Sequence, residues 1–259
     1  MDIHVMDADG GNVRNVSRNA GWDWFPTWSP DGTEIAFASE RDGHFEVYAL
    51  GPLGGQPRRV TRHMGQDWAP SWSPDGTRIA YESHDADHTS TVRVVDAAGG
   101  NSVSVADVGG ETSPAWSMDG RRIAYFWRRG IYTVSPGGGG LDQVGGGLDS
   151  EYDPAWSPDG TRLAFAARVN GATNIYVMDV SGGKATQLTT HAQGDYEPAW
   201  SPDGREIAFT SERDGGAGVF IMDINGRDDP RNITRLGTLD GQPAWARPGA
   251  FRPVPVLGV

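Results

Sequence analysis

Pro26-Thr27-Trp28-Ser29-Pro30-Asp31-Gly32 decides the fold, because this heptad returns along the whole chain. It recurs from Pro70 to Gly76, from Pro154 to Gly160 and from Pro198 to Gly204, and from Pro114 to Gly120 with Met118 in place of its second proline. A worn sixth copy reads Pro243-Ala244-Trp245-Ala246-Arg247-Pro248-Gly249. Successive tryptophans, Trp28, Trp72, Trp116, Trp156, Trp200 and Trp245, are separated by 44, 44, 40, 44 and 45 residues. That is the period of one propeller blade.

Within each unit a short strand passes through the tryptophan, turns at Ser-Pro-Asp-Gly and returns as a β-rich strand such as Glu34-Ile35-Ala36-Phe37-Ala38. Proline presets φ at the corner, aspartate bonds its own backbone, and glycine takes the positive φ of a tight hairpin. A second turn, as at Arg41-Asp42-Gly43 and Arg213-Asp214-Gly215, leads to a third strand (Asn174-Ile175-Tyr176-Val177-Met178). A Gly-rich turn then leads to a fourth (Gln187-Leu188-Thr189). At the N-terminus Ile3-His4-Val5-Met6-Asp7 matches a third strand and Val13-Arg14-Asn15-Val16-Ser17 a fourth, while Pro243-Ala244-Trp245 supplies an inner one. The expectation is therefore an all-β, six-bladed β-propeller of four-stranded antiparallel blades whose last blade is shared between the termini, closing the ring without open edges. It forms one domain over 1–259: internal blades at 18–61, 62–106, 107–145, 146–190 and 191–235, and a closing blade from 1–17 and 243–259. Pro253 and Pro255 have no N–H to donate to that blade's second strand, which predicts a distorted or incomplete ladder there.

Composition narrows the function. The chain has 34 acidic and 22 basic residues, a net charge of −12, which argues against nucleic acid and anionic membranes and for cationic partners. Lys184 is the only lysine, so the positive charge is nearly all arginine. Without cysteine there is no disulfide framework and no thiolate chemistry. The N-terminal stretch lacks the basic and apolar regions of an export signal, and no apolar run has membrane-spanning length, so membrane insertion is not expected. Gly182-Gly183-Lys184 lacks the upstream glycine and the Ser/Thr of a phosphate loop.

Taken together, the pattern PxWSPDGxxIAFxSxRDG…xIYxMDxxGGxxxxLT resembles the PD40 repeats of the TolB-type six-bladed propellers, from Asp2 to about Gly249. The resemblance implies a bacterial protein with a periplasmic or extracellular setting and a protein or peptide partner. The resemblance is to the propeller part of TolB proteins, which carry an additional N-terminal domain. Related propellers also serve as lids of prolyl-oligopeptidase-like enzymes and as oligogalacturonate lyases, so the motif fixes fold better than function. No GxSxG nucleophile elbow accompanies it here.

Three residues before each repeat proline stands an acid: Asp23, Asp67, Glu111, Glu151, Asp195 and Asp240. Symmetry places these on the loops entering the inner strands, around one mouth of the axial channel. Neighbouring carboxylates about 8 Å apart at an effective dielectric of about 20 repel by about 2 kcal/mol, so something must offset their charge. One reading is that each accepts hydrogen bonds from backbone N–H groups in its own or the adjacent loop, tying blades together. The other is capture of Ca²⁺ or another divalent cation, or of a basic peptide. Beside them, Trp24, Trp68, Tyr152 and Tyr196 offer either packing between loops or a platform for sugars or cations. His63 and His191 occupy equivalent positions on the same side, and His84-Asp85-Ala86-Asp87-His88 combines metal-binding composition with that of a solvated hairpin tip. Asp7-Ala8-Asp9-Gly10 lacks the glutamate of a calcium loop and reads as a turn. These features predict a monomeric, non-catalytic binding or scaffold module that engages a protein, peptide or cation at an acidic channel mouth. The alternative is a metal-dependent polysaccharide lyase or hydrolase acting there.

Overall fold

A computed structural model describes residues 1–85, 89–110, 112–145, 147–226, 229–234 and 241–247. Among these there is no helix, and therefore none long and apolar enough to cross a membrane. The chain is an all-β propeller with five four-stranded antiparallel blades. Their inner strands are Asp23–Trp28, Gln66–Trp72, Ala115–Trp116, Ser150–Trp156 and Asp195–Trp200. Each pairs with the next strand in sequence, so every blade is a simple meander.

The Ser-Pro-Asp-Gly corners form as their chemistry dictates. Ser29 Oγ donates to Asp31 Oδ1 at 2.7 Å, Thr33 N donates to the same oxygen at 3.1 Å, and Gly32 takes φ 67°. Ser29 and Glu34 then close the hairpin through N–H to O=C and N–H to Oγ bonds. The equivalent Asp75 and Asp159 are held down at about 2 by the seryl hydroxyl first and the following amide second. These aspartates are charged structural acceptors.

Between blades the tryptophans act as wedges. Trp72 packs on Ala36, Val47, Ala49 and Val60 of the first blade and on Ile79 and Tyr81 of its own. Trp200 does the same with Ala164, Ala166 and Ile175 of the fourth blade. Each buried indole contributes roughly 4–6 kcal/mol of transfer free energy before entropy is subtracted. Arg78, Arg122 and Arg162 lie 4.9, 5.2 and 4.8 Å over the rings of Trp116, Trp156 and Trp200, adding a cation–π contact at three interfaces.

The sixth sector differs from the four-stranded blade expected there. It holds a two-stranded hairpin, His4–Val5 with Arg14–Asn15, and residues 243–245 are not a strand. A strand at 243–245 needs a neighbour with which to exchange hydrogen bonds. The stretch that would supply it, 251–256, contains Pro253 and Pro255 and lies outside the described residues. The ring is nevertheless continuous across this sector. Ile3 and Val16 pack with Ile35, Phe37 and Tyr48 of the first blade, and on the other side Gly10 lies against the Ile233 carbonyl. Trp245 packs on Ala208, Val219 and Ile221, and its Nε1 donates to Ala199 O at 3.2 Å, as Trp200 does to Ala155.

Gly10 is required at this junction, since its φ is +86° and a Cβ there would collide with the Ile233 carbonyl oxygen. Gly10→Ala is expected to cost about 2 kcal/mol and to loosen the hairpin from the fifth blade. Thermal unfolding gives the first quantity, and the rate of proteolysis within residues 1–17 the second.

Candidate functional site at the axial mouth

The acidic positions sit at the start of the inner strands, and the four described members are buried rather than opening onto the channel: Asp23, Asp67, Glu151 and Asp195 are each 2% exposed or less. Glu111 and Asp240 lie outside the described residues. What offsets their charge differs from blade to blade. In the first and fifth blades the arginine of the Arg-Asp-Gly turn folds back over the strand end. Arg213 donates from Nη2 to Asp195 Oδ1 at 2.8 Å and from Nε to Ser211 Oγ at 2.9 Å, with its guanidinium over Phe209 and Phe220. Arg41 repeats this with Asp23 (3.3 Å), Ser39, Phe37 and Tyr48. Asn19 also donates to Asp23.

The second blade lacks this arginine, with Asp85 standing at its position. Asp67 instead accepts from Ser83 Oγ at 2.7 Å. Its pKa is pushed up to about 6 mainly by burial, with Glu46 adding repulsion and Ser83, Thr61 and His63 pulling the other way. Glu151 of the fourth blade lies opposite Ala167, its carboxylate against Gly145. Among the described residues no three His, Asp or Glu side chains come together to hold a metal ion. Arginine holds one oxygen of Asp23 and of Asp195 and serine one of Asp67, while Asp23 Oδ2, Asp67 Oδ2 and Asp195 Oδ2 are buried without a hydrogen-bond partner.

The histidines also separate. His63 Nδ1 faces Asp85 at 3.6 Å and Ser83 Oγ at 3.4 Å. Since both partners approach the same nitrogen, Ser83, His63 and Asp85 do not form a nucleophilic relay. His191 Nδ1 accepts from the Gln193 amide in its own loop. Residues 86–88 of the His84 to His88 tract lie outside the described residues.

The aromatic positions divide into two groups. Trp24 and Trp68 meet across the first two blades at 5.6 Å, Trp68 stacks on Phe45 at 3.9 Å, and Trp22 stacks on Trp24 at 5.2 Å. Tyr152 meets Phe126 edge-on at 5.5 Å, and Tyr196 is half-buried against Gly194.

A further set of residues faces the axis. The residue immediately before each repeat proline adopts a left-handed backbone: Phe25, Ala69, Ser113, Asp153, Glu197 and Gln242 have φ between 42° and 57°. Proline normally holds its predecessor in extended conformations, and a non-glycine residue at positive φ stores roughly 1–3 kcal/mol of strain. In four blades the position coincides with a bulge in the inner strand, as between Trp24 and Thr27. Equivalent residues then touch from blade to blade. Ser113 Oγ donates to Asp153 Oδ1 at 2.9 Å, Gln242 N to Glu197 Oε2 at 2.9 Å, and Phe25 N to Gln242 Oε1 at 2.7 Å. Such contacts between successive innermost strands place this ring at the axis. One arc of it is apolar (Phe25, Ala69) and the other polar or acidic.

The signal for this ring lies in the sequence. It is the one position flanking the heptad at which all six copies differ. Constant positions build the blade, and a strained position that is free to vary is available for recognition.

Five four-stranded blades around a lined axis define a β-propeller with an axial mouth. The chain belongs to the TolB beta propeller domain family, PD40, whose model matches residues 1–136 and 91–251. It is 40% identical over 50 residues to the Tol-Pal system protein TolB of Bordetella pertussis, a match covering 19% of this chain and 11% of that protein. It superposes on TolB from Acinetobacter baumannii with TM-score 0.85 at 22% identity, covering 95% of this chain and 62% of that one. On a putative TolB from Agrobacterium tumefaciens the TM-score is 0.76 at 24% identity, covering 86% and 84%. The chain thus spans less than two thirds of the Acinetobacter protein, and at these identities the structural likeness is one of fold.

Proposed function

We propose that this propeller is a non-catalytic, protein-binding scaffold whose partner seats on the axial mouth, in a bacterial envelope system of the kind named for its Bordetella relative. The observation that carries this reading is the ring of six strained pre-proline residues, which links successive inner strands on a rigid frame and differs in side chain at every copy. Binding surfaces need that combination of fixed backbone and variable side chain. The reading places the protein in the periplasm.

A Pal protein from the same source is the first partner to test, by surface plasmon resonance on the immobilised chain. Asp153→Lys and Ser113→Tyr alter half-buried ring positions and are expected to weaken binding by about tenfold or more each, the usual cost at the centre of an interface. Unchanged affinity in both variants would place the partner elsewhere. Turnover of a polysaccharide panel that stops on chelation would replace the scaffold reading with a metal-dependent lyase.

A further inference from the structure

We infer that the aromatic sector over the first two blades is the energetic centre of the mouth, and that it receives a basic segment of the partner, an arginine or lysine beside an apolar residue. This rests on the protein-binding reading above and specifies the partner's chemistry.

Trp22 is 52% exposed and Met64 98% exposed, and Trp22 is the only aromatic among the exposed large hydrophobic side chains of the described residues. Trp22 presents one face to Trp24 at 18° to parallel, and Trp24 continues through Trp68 to Phe45. An indole left half in water forgoes roughly 2 kcal/mol of burial, which a partner recovers by covering it.

The indole is also held in place. Trp22 N donates to Glu40 Oε1 and Glu40 N donates to Trp22 O, both at 3.2 Å, so the loop that carries the ring is bonded to the first blade at two points. A preorganised tryptophan stacked on a half-buried aromatic is the composition of a binding hot spot, and the fully exposed Met64 on the loop before the second blade's inner strand adds a side chain that adapts to shape.

Charge selects the occupant. The partly exposed charges beside this sector include Glu40, Asp42, which pairs with Arg59 at 3.5 Å, and Asp85, which faces His63 at 3.6 Å, against the exposed Arg18 and Arg62. Across the axis stand Asp153 and Glu197, and the chain as a whole carries −12. A guanidinium on the free face of Trp22 gains a cation–π contact inside a negative field, whereas an acidic segment is repelled.

The test uses the whole chain labelled with 5-fluorotryptophan and three acetylated pentapeptides with Arg-Phe-Arg, Gln-Phe-Gln and Glu-Phe-Glu cores. The fluorine resonance of Trp22, assigned with Trp22→Phe, is expected to move with the arginine peptide. Affinity is expected to fall about tenfold for the glutamine peptide and further for the glutamate one, and to weaken as salt rises from about 50 to 500 mM. Trp22→Ala and Met64→Lys, both at exposed positions, are expected to reduce binding with unchanged melting curves. Equal affinity for the arginine and glutamine peptides, shifts confined to other tryptophans, or preferential binding of an oligosaccharide at Trp22 would overturn the inference. Undiminished Pal binding by Trp22→Ala would also overturn it while leaving the protein-binding reading intact.

Discussion

Replacing Arg213 by alanine lowers the stability of the chain by about 3–5 kcal/mol, the effect expected when a buried charge loses its partner. Asp195 is fully buried, and the Arg213 side chain is 14% exposed. Its guanidinium binds Asp195 and Ser211 at once and fills the space over Phe209 and Phe220. Truncation therefore leaves a carboxylate in a dry site, an unfilled volume between two rings, and Ser211 Oγ without the shorter of its two donors. The comparison that isolates charge is Arg213→Met with Asp195→Asn, which removes both charges and keeps most of the volume. This double variant is expected to recover more than half of the loss, because replacing both members of a buried pair is far cheaper than orphaning one. Arg205→Ala is the control. Arg205 and Asp203 pair at 3.9 Å with side chains 82% and 59% exposed, so its effect is expected within about 0.5 kcal/mol. Urea unfolding of the parent and the three variants under one condition checks the ordering, and equal losses for Arg213→Ala and the double variant would show that packing, not charge, dominates.

The blades were legible because a repeat tests itself. A heptad with a turn chemistry that admits one geometry returns at a blade's period, and any other fold would have to accommodate five such corners. The acidic position was legible as a position but not as a role. Its sequence sign was the arginine 18 residues later, present after Asp23 and Asp195 and replaced by Asp85 after Asp67, a pairing that becomes meaningful only once strand register brings residues 23 and 39 opposite each other. The ring at the axis was hidden for a different reason. Local preference places a pre-proline residue in extended conformation, and here that preference is overridden six times, in four blades where the inner strand bulges. The sixth sector is the remaining difference, where the stretch expected to pair with residues 243–245 contains Pro253 and Pro255 in the sequence.

Asp67→Asn, at the position equivalent to Asp195, is expected to act with the opposite sign. Burial raises the Asp67 pKa from 3.8 to about 6, so the folded chain holds a proton that the unfolded chain has released between those values. In this window stability falls as pH rises. The contribution is fully present below about pH 4 and fully lost above about pH 6, with a total of roughly 2–3 kcal/mol. The asparagine variant carries no charge to bury and retains a polar partner for Ser83 Oγ. It is therefore expected to exceed the parent chain in stability at pH 7 by roughly 1–3 kcal/mol and to lose the decline between pH 4 and 6. Asp195→Asn, which deprives Arg213 of its counter-charge, is expected instead to destabilise at pH 7. Denaturation midpoints of the parent and both variants from pH 4 to 8 decide the matter. A parent profile that rises through this window, or an Asp67→Asn variant weaker than the parent at pH 7, would mean that His63, Thr61 and Ser83 stabilise the ionised carboxylate by more than burial penalises it.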